Sequence, residues 1–368
     1  MMRTYKFRIE PTKDQRKKLD ETRVYCRRLY NACLEQRIIA YKRGGISLSY
    51  YTQKKELPQL KTACPEYKTV HSQVLQNVVE RLDKAFQSFF QRILKGEKKP
   101  GFPRFKGSNR YHSFTYPQSG FSLNGKYIKL SKIGHVRIKL HRQVTGKIKT
   151  CTVVSKNGKY FVCLSCEHET QDCLVSNKMV GVDLGIKNLV TTSDGRFFPS
   201  PKFLRKSEHQ LKRLQRMVSK RKKGSNRRKK AVKLLSKKHE YIANQRKNNA
   251  HQVSRQLVNQ YDVIAFEDLK IKDMLKNHQL AKSIGDAGWN QLINYTSYKA
   301  ESAGKRVVLV DPKNTSQECS NCHEMVSKSL AVRVHDCPFC GFKCDRDINA
   351  SINILHRAIE FISYNVLG

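Results

Sequence analysis

The amino-acid sequence predicts a fold of several parts, in which an α/β domain follows a small antiparallel β-domain and a helical module. Three changes of pattern along the 368 residues lead to this prediction. Apolar side chains recur at helical spacing over residues 13–94, alternate with polar ones over residues 99–169, and then mark alternating strands and helices over residues 179–312. A chain of this length can bury two or three hydrophobic cores.

The chain begins with a strand and a helical module. Residues 4–9 alternate as a strand does, and Pro11 ends this pattern. Two basic amphipathic helices are predicted at residues 13–43 and 69–94, with glycines and prolines between them. The first strand could pair with the sheet that follows, which would make the helical module an insertion within that sheet.

Alternation with a period of two begins near Lys99 and continues to residue 169. Asn-Gly and other glycine-containing turns separate the predicted strands. This pattern predicts a small antiparallel β-barrel or sandwich.

The third part has the order of elements typical of an α/β domain built around a mixed sheet. It opens with a buried strand, a short turn and a second strand at residues 179–198, and two helical stretches rich in Lys and Arg follow. The remaining predicted elements are a strand at residues 261–269, a helix at 288–305, a strand at 306–312 and an amphipathic helix at 347–362.

The charge balance indicates a polyanionic partner. The chain carries 72 Lys and Arg residues against 30 Asp and Glu residues, a net charge of +42. Nucleic acid is the commonest polyanion that such an excess binds. The helices between Leu204 and Lys247 are predicted to contact phosphates, which adds affinity without reading sequence. A ribosome-bound protein remains an alternative on charge alone.

The sequence predicts a cytoplasmic protein without membrane association. The N-terminal segment lacks the apolar core of a signal peptide, and no apolar run approaches the ~20 residues needed to cross a bilayer. Twelve cysteines in an unexported chain indicate a reducing compartment, where closely spaced pairs are better interpreted as metal ligands than as disulfides.

The strongest motif is a pair of Cys-x2-Cys knuckles with the spacing of a four-cysteine zinc ribbon. Four thiolates form the tetrahedral set that zinc prefers, and such a closed site folds the segment without doing chemistry. Cys344 could substitute for one ligand, whereas Cys163-x2-Cys166 lies in a strand pattern and is interpreted as buried apolar side chains. The four predicted zinc ligands are Cys319, Cys322, Cys337 and Cys340.

Acidic residues end three separate elements of the α/β domain. Asp183 follows the first strand, Glu267 ends the strand at residues 261–269, and Asp345 and Asp347 lie at the start of the last helix. Two metals about 4 Å apart in a phosphoryl-transfer site need bridging and flanking carboxylates. Three acids held together would repel one another unless cations neutralise them, which favours a metal site. Asp268 and Asp345 remain alternatives that spacing does not exclude.

Taken together, these motifs resemble those of the TnpB family, the transposon-encoded RNA-guided DNA nucleases related to the compact type V CRISPR effectors. The resemblance covers nearly the whole chain. The segments that carry it are YKFRIEPTKDQ, CRRLYNACLEQRI, GFPRFKG, VGVDLGIKNLVTTSDG, IAFEDLKIKDM, GWNQLINYTSYKAESAGKRVVLVDPKNTSQECSNC and CPFCGFKCDRDINASINI. Two departures are His323, where the family usually has Gly, and Ser351, which turns the commoner Asn-Ala-Ala into Asn-Ala-Ser.

The resemblance implies two compound domains. One is a RuvC-like nuclease domain of the RNase H fold with an inserted four-cysteine zinc ribbon, and the other is a wedge-like β-barrel with an inserted helical recognition domain. The implied ranges are residues 1–12 and 100–176 for the β-barrel, 13–99 for the recognition domain, 177–316 and 342–368 for the nuclease domain, and 317–341 for the zinc ribbon.

The resemblance also implies an RNA-guided DNA endonuclease of a mobile element. Such an enzyme cleaves double-stranded DNA next to a short target-adjacent motif by two-metal phosphodiester hydrolysis, and a guide RNA from the end of the element pairs with the target strand. The implied catalytic and metal-binding acids are Asp183, Glu267 and Asp347. The implied cofactors are two Mg2+ or Mn2+ ions, a structural Zn2+ and the guide RNA, and a monomer is favoured.

Seven further residues are candidates for contact with nucleic acid. Reading of the target-adjacent motif is assigned to the helical and β-barrel parts, and backbone contact with guide RNA or heteroduplex to basic residues. The motif-reading candidates are Tyr51, Gln73 and Gln76, and the backbone candidates are Arg104, Lys106, Arg221 and Lys222.

Three alternatives share part of this evidence. A DNA transposase could use the same acids for strand transfer, so the acids do not discriminate against it. An RNA-guided DNA-binding regulator without cleavage would be expected to have lost the acids, all of which are present. A zinc-ribbon component of an RNA–protein particle would bind RNA without depending on Asp183.

Overall fold

The computed structural model describes residues 2–168, 178–329 and 332–366. Contacts divide the chain into an N-terminal unit, Met1–Glu169, and a C-terminal unit, Thr170–Gly368. The predicted boundary between residues 176 and 177 lies outside the described residues, and the other domain boundaries remain predictions.

A long helix dominates the first part of the N-terminal unit. It begins at a capping box, in which the Gln15 amide N–H donates to Thr12 Oγ1 and the Thr12 amide N–H donates to Gln15 Oε1. It ends where Gly45 adopts the left-handed conformation, with φ of 63°. The helices of this unit are α1 (Lys13–Gly44), α2 (Tyr50–Lys55), α3 (Leu57–Ala63) and α4 (Ser72–Leu94), with a 3-10 turn at Pro65–Thr69.

The strands of the N-terminal unit form one seven-stranded antiparallel sheet in the order β2-β6-β7-β1-β5-β4-β3. The first strand of the chain therefore pairs with β7 and β5, which lie after the helices in sequence. Its alternate residues Tyr5, Phe7 and Ile9 are buried, and they share a core with apolar residues of α1 and α4. The strands are β1 (Met2–Glu10), β2 (Ser113–Tyr116), β3 (Phe121–Asn124), β4 (Tyr127–Leu130), β5 (Gly134–Lys139), β6 (Lys147–Lys156) and β7 (Lys159–Glu167).

The C-terminal unit contains a mixed five-stranded sheet in the order β10-β9-β8-β11-β12. Strands β8, β11 and β12 run parallel, whereas β9 and β10 run antiparallel to their neighbours. One face of the sheet packs against helices α6 (Asn226–Gln260) and α9 (Trp289–Ser302), and the other face packs against α10 (Arg346–Val366). The strands are β8 (Met179–Asp183), β9 (Asn188–Thr192), β10 (Phe197–Pro199), β11 (Val263–Glu267) and β12 (Arg306–Val310).

Helices and one small hairpin complete the C-terminal unit. Strands β13 (Val334–Asp336) and β14 (Lys343–Asp345) form the hairpin directly before the last helix, so the chain passes from the cysteine motifs into that helix without a linker. The helices are α5 (Phe203–Ser219), α6 (Asn226–Gln260), α7 (Ile271–Met274), α8 (Ala281–Ala287), α9 (Trp289–Ser302) and α10 (Arg346–Val366).

Candidate functional site

Two of the predicted acids end neighbouring parallel strands. Val182 of β8 pairs with Phe266 of β11, so the residues that follow them, Asp183 and Glu267, lie side by side at the carboxyl edge of the sheet. The carboxyl edge of parallel strands is where open α/β sheets place their sites. Glu267 is almost fully buried, with a relative exposure of 7%.

The third acid reaches this edge through helix α10. The helix crosses β8 so closely that a Cβ atom on Gly181 would lie 1.9 Å from the Ser351 carbonyl oxygen and 2.7 Å from the Leu355 nitrogen. Only a glycine permits this approach of two backbones. Asp347 lies in the first turn of α10 and is buried.

The surroundings of two of the acids disfavour their ionised forms. Burial raises the pKa of Asp183 well above its usual range, and repulsion from Glu267 and Asp347 adds to the rise. Burial also raises the pKa of Glu267, whereas the Thr315 hydroxyl, which donates to Glu267 Oε1, opposes that rise. Burial and the charges of Glu267 and Asp347 therefore disfavour ionisation of Asp183 in the absence of a cation.

Two arginines contact the carboxylate of Asp347. Arg346 Nη2 lies 3.2 Å from Asp347 Oδ1, and Arg333 Nη1 lies 3.8 Å from Asp347 Oδ2. Arg333 comes from the segment that joins the two cysteine knuckles, and its carbonyl oxygen accepts the Arg346 amide N–H at 2.8 Å. Two positively charged side chains therefore lie close to Asp347.

The two alternative acids have different surroundings. Asp345 Oδ1 accepts the amide N–H of Asp347 at 2.8 Å, which caps the start of α10. The side chain of Asp268 is exposed, although its amide N–H donates to the Val310 carbonyl oxygen at 2.8 Å.

The three carboxylates are of the ligand type that divalent cations prefer, although their oxygen atoms are not all within 4.8 Å of one another. Among the described residues, only the four cysteines form a group of three or more metal-binding side chains whose donor atoms lie within 4.8 Å of one another. The three acids do not meet that distance, as expected for like charges without a counter-ion. Carboxylate oxygens are the ligands that Mg2+ prefers, and binding it would remove the mutual repulsion.

The four cysteines could hold a zinc ion, because their sulfur atoms all lie within 4.8 Å of one another. Cys319 Sγ lies 3.7 Å from Cys340 Sγ, and Cys322 Sγ lies 3.6 Å from Cys337 Sγ. Zn–S bonds of about 2.3 Å in a tetrahedron separate the sulfurs by about 3.8 Å, whereas a disulfide is about 2 Å long. Cys344 is not a member of the group.

The two knuckles have the same backbone design. The amide N–H of His323 donates to the Cys319 carbonyl oxygen at 2.9 Å, and that of Gly341 donates to the Cys337 carbonyl oxygen at 3.0 Å. Both donors are left-handed, with φ of 63° for His323 and 72° for Gly341. The departure from glycine at position 323 therefore places an L-residue where glycine is favoured.

Sequence reasoning missed the side chains that connect the zinc-ribbon segment to α10. Asn349 Oδ1 accepts the Ser320 amide N–H at 2.9 Å, and Asn349 Nδ2 donates to the Glu318 carbonyl oxygen at 2.7 Å. Asn353 Nδ2 donates to the same oxygen at 2.7 Å and to the Thr315 carbonyl oxygen at 2.9 Å. In the sequence, this connection is indicated only by two asparagines, four residues apart, on the apolar face of a predicted amphipathic helix.

The motif-reading candidates lie on the helices of the N-terminal unit. Tyr51 is exposed, and with Gln76 it lines a groove of about 400 Å³ whose other lining residues include Lys54, Lys55 and Lys61. Gln73 is not a member of this lining. Its Oε1 accepts the Ser119 amide N–H at 2.9 Å, which commits the side chain to the turn between β2 and β3.

The four basic candidates occupy two loops. Arg104 is exposed, whereas Lys106 is fixed to α1 because its amide N–H donates to Asn31 Oδ1 at 2.7 Å. Arg221 and Lys222 lie in the turn between α5 and α6, and Lys222 is exposed there. Their roles in binding nucleic acid remain predictions.

The sequence also predicts that Cys163 and Cys166 are not metal ligands and that no segment crosses a membrane. Cys163 and Cys166 lie on opposite faces of β7, so Cys166 is buried as expected whereas Cys163 is only half-buried. Neither belongs to a metal-binding group among the described residues. No helix in the described part of the chain is both long and apolar enough to span a bilayer.

Three regions of the chain match known protein families. Residues 161–278 match the OrfB_IS605 family, described as a probable transposase. Residues 289–354 match the Cas12f1-like TNB domain, and residues 1–45 match a helix-turn-helix domain. In the structure, β1 and the single helix α1 occupy most of that last region.

Individual proteins match over nearly the whole chain. A protein of Streptomyces pristinaespiralis named "Putative RNA-guided DNA endonuclease" is 32% identical over 96% of this chain and 88% of its own length. InsQ of Escherichia coli (strain K12), which has the same designation, is 31% identical over 96% of this chain and 92% of its own length. The solved structure of the mini-RNA-guided endonuclease CRISPR-Cas_phi3 aligns with 98% of this chain and 92% of its own, with a TM-score of 0.52 and 10% identity. At that identity the likeness concerns the fold alone.

Proposed function

Because this chain belongs to the TnpB family, we propose that it is an RNA-guided DNA endonuclease with a RuvC-like nuclease domain of the RNase H fold. The premise rests on relatives above 30% identity that match nearly full length. The proposed substrate is double-stranded DNA, cut next to a short target-adjacent motif to leave a 5′-phosphate and a 3′-hydroxyl. The proposed setting is the cytoplasm, with a monomer as the favoured state.

The observation that carries this proposal is the convergence of three acids from β8, β11 and α10. Burial raises the pKa of Asp183 and repulsion from Glu267 and Asp347 adds to the rise, an arrangement that costs stability unless the site uses cations. Asp183, Glu267 and Asp347 are the proposed ligands of two Mg2+ or Mn2+ ions. When bound, these ions would supply the Lewis acidity that phosphodiester hydrolysis requires.

The surrounding residues are proposed to hold the acids in position. Thr315 donates to Glu267 Oε1 and leaves the other carboxylate oxygen for a ligand. Arg346 and Arg333 neutralise part of the Asp347 charge, and the same arginines could attract the phosphate of the scissile strand. Burial of Glu267 and Asp347 limits the access of bulk water to the acids.

The zinc ribbon is proposed to fix the path of the chain into α10. Asn349 and Asn353 bond the backbone of residues 315–320 to the first two turns of that helix. Zinc would thus hold Asp347 opposite Asp183 and Glu267 without taking part in the reaction. We expect Cys337→Ser to lose both zinc and cleavage, and a zinc-free variant with full activity would contradict this role.

The proposed nucleic-acid partners are supported by the net charge of the chain and by the names of its relatives. A guide RNA would pair with the target strand, and the +42 chain would hold both through phosphate contacts. The groove that includes Tyr51 and Gln76, together with Gln73, is the proposed reader of the target-adjacent motif. Arg104, Lys106, Arg221 and Lys222 are the proposed backbone contacts.

A matched pair of acid substitutions tests the proposal. The full chain would be purified with co-expressed flanking element DNA, its bound RNA sequenced, and a target library with randomised flanks incubated with Mg2+. We expect cuts next to one short motif that disappear in Asp183→Ala and Glu267→Gln. Asp268→Asn, which changes the exposed neighbouring acid, should still cleave. Guide-dependent cutting by Asp183→Ala would refute the assignment.

A second candidate is favoured by one observation, the probable-transposase description of the family matched at residues 161–278. A transposase would use the same acids to join element ends to a target. Incubation with element ends and target DNA distinguishes the two functions, because only strand transfer gives joined donor–target products. Bound RNA without Asp183-dependent cleavage would instead indicate an RNA-guided DNA-binding regulator.

A further inference from the structure

The end of helix α4 exposes aromatic and aliphatic side chains. The buried side chains of α4 end at Leu82, yet its last three turns continue with Phe86, Phe89 and Phe90. Phe90 is 54% exposed and Leu94 is 86% exposed. Contiguous exposed apolar side chains of this kind mark an interaction site more often than a bare surface.

A loop folds back onto these rings through Phe102, and it carries a second exposed ring, Phe105, three residues later. Phe102 packs edge-to-face on Phe86, at 5.5 Å between ring centroids, and on Phe89, at 5.3 Å. Phe102 still exposes 47% of its surface, and Phe105 exposes 52%. The rings of α4 and of the loop together form an open aromatic cluster.

The cluster is held rigidly at both ends. At one end the Arg37 guanidinium lies 5.1 Å from the Phe86 ring centroid and also pairs with Asp83 at 2.9 Å. At the other end Asn31 bonds the backbone of Lys106 in both directions, at 2.7 Å and 3.1 Å. These contacts fix the chain on either side of the exposed rings, which lowers the entropic cost of ordering the site around a ligand.

The cluster is surrounded by uncompensated positive charge. Residues 86–106 contain six cationic side chains and one acid, Glu97. Among the described residues, none of these six cations forms an ion pair. The cations are Arg92, Lys95, Lys98, Lys99, Arg104 and Lys106. We refer to them, together with Phe90, Phe102 and Phe105, as the aromatic–basic patch.

We propose that the aromatic–basic patch binds single-stranded nucleic acid by stacking unpaired bases on Phe90, Phe102 and Phe105 while the cations contact the backbone. Base stacking on exposed rings within a positive groove is how proteins hold single strands without reading their sequence. A second copy of this chain fits less well. In a two-fold dimer the patch would face itself, which would bring six cations against six.

Single strands suit the patch better than duplexes, because paired bases are stacked on each other and do not present their faces. The inference rests on the proposed function, which supplies two single strands: an unpaired part of the guide RNA and the displaced DNA strand. Both present the same chemistry of bases and phosphates, so the experiment compares RNA with DNA.

The test uses the full chain and fluorescent oligonucleotides of about twelve nucleotides, a length within the range of known single-strand sites. Oligo(U), oligo(dT) and a duplex of equal length would be titrated over a range of KCl concentrations. Phe90→Leu/Phe105→Leu keeps the apolar bulk and removes two ring faces. Tyr127→Leu is the matched control, because Tyr127 is equally exposed at 50% but lies on β4 outside the patch.

We expect the double variant to bind single strands at least about tenfold more weakly, with an unchanged salt slope and unchanged duplex binding. Arg104→Gln should instead reduce the slope of log K against log salt by about 0.7, the value for one phosphate of a single strand. A larger loss with oligo(U) would assign the patch to the guide RNA, and a larger loss with oligo(dT) would assign it to the displaced strand.

Two results would overturn the inference while leaving the proposed function intact. One is unchanged single-strand affinity in the double variant when the unsubstituted chain binds RNA. The other is a change in sedimentation from dimer to monomer, which would make the patch a contact between copies. Failure of the unsubstituted chain to bind any RNA would instead overturn the proposed function, and this inference with it.

Discussion

The buried acids at the sheet edge lower the stability of the metal-free protein. Asp183 and Glu267 both have a raised pKa, because burial penalises their charged forms. In the metal-free protein the folded state therefore holds protons that the unfolded state has released. Over the pH window between the ordinary and the raised pKa, fewer protons are bound in the unfolded state, so stability falls as pH rises.

Asp183→Asn should stabilise the metal-free protein. The amide cannot ionise, so the loss of stability with rising pH should be smaller, and the melting temperature in EDTA should rise by a few degrees at pH 8 and little at pH 4. Calorimetry at both pH values measures this. Asp273→Asn is the control, because Lys276 lowers the pKa of that exposed acid and no rise is expected. Equal melting temperatures for Asp183→Asn and the unsubstituted chain at pH 8 would contradict the prediction.

His323 offers a second change at a single position. Its left-handed backbone costs an L-residue roughly 1–2 kcal/mol, and the bond from its exposed ring to Glu318 at 3.2 Å compensates little. His323→Gly should therefore stabilise the first knuckle by about 0.5–1 kcal/mol, net of the greater freedom of glycine in the unfolded chain.

The second knuckle provides the reverse substitution. Gly341→Ala should destabilise by a similar amount, since φ there is 72°. Denaturant unfolding and the chelator concentration that removes half of the zinc would measure both variants. Tighter zinc retention in Gly341→Ala than in His323→Gly would show that the backbone argument is wrong.

Sequence patterns single out candidate acids but do not choose between neighbours. Glu267 and Asp268 are adjacent at a strand end, and one is buried while the other is exposed because side chains alternate along a strand. Which one points inward depends on the register of β11 between β8 and β12, which is a long-range property. The four cysteines are different, because ligand spacing is local and is visible in the sequence.

Whole elements are brought together by contacts that sequence reading does not reveal. Helix α10 rests on β8 at Gly181, and its asparagines bind residues 315–320, so the last helix, the first strand and the zinc-ribbon segment form one arrangement. The periodicity of each element predicts its existence. Its partners depend on chain segments up to about 170 residues away, and a single sequence carries no record of such distances.

Gly181→Ala should separate α10 from β8. A Cβ atom 1.9 Å from the Ser351 carbonyl oxygen forces the helix to shift, because both colliding groups are backbone. We expect a loss of about 1–3 kcal/mol in the free energy of unfolding, typical of overpacking. Under the proposed function, DNA cleavage should fall by at least about a hundredfold, because a shift of 1 Å in a catalytic group has that effect.

Gly285→Ala is the matched control for this prediction. Gly285 lies in helix α8 of the same unit, and a Cβ atom there meets nothing within 4 Å. This substitution should leave cleavage unchanged and stabilise slightly, as alanine does in helices. Thermal melting and single-turnover cleavage of both variants would measure the difference. Equal effects of the two substitutions would show that the α10–β8 contact is not responsible.

At the scale of the whole molecule, charge is the property that the sequence establishes most directly. A net charge of +42 depends on composition alone and needs no knowledge of contacts. The distribution of that charge does depend on the fold. Residues 220–230, in and after the turn between α5 and α6, contain eight Lys and Arg residues and no acid.

This turn should contribute measurably to the salt dependence of RNA binding. If Arg221 and Lys222 each contact one phosphate, Arg221→Gln/Lys222→Gln should reduce the slope of log K against log salt by about 1.5 and weaken all RNA sequences to a similar extent. Lys276→Gln removes one charge that Asp273 already pairs with at 2.7 Å, so its slope should stay close to that of the unsubstituted chain. Filter binding of the co-purified RNA and of an unrelated RNA between low and high KCl measures both slopes. A slope that the double variant leaves unchanged would mean that the turn faces solvent, and the phosphate contacts would then have to come from other cationic surfaces of the chain.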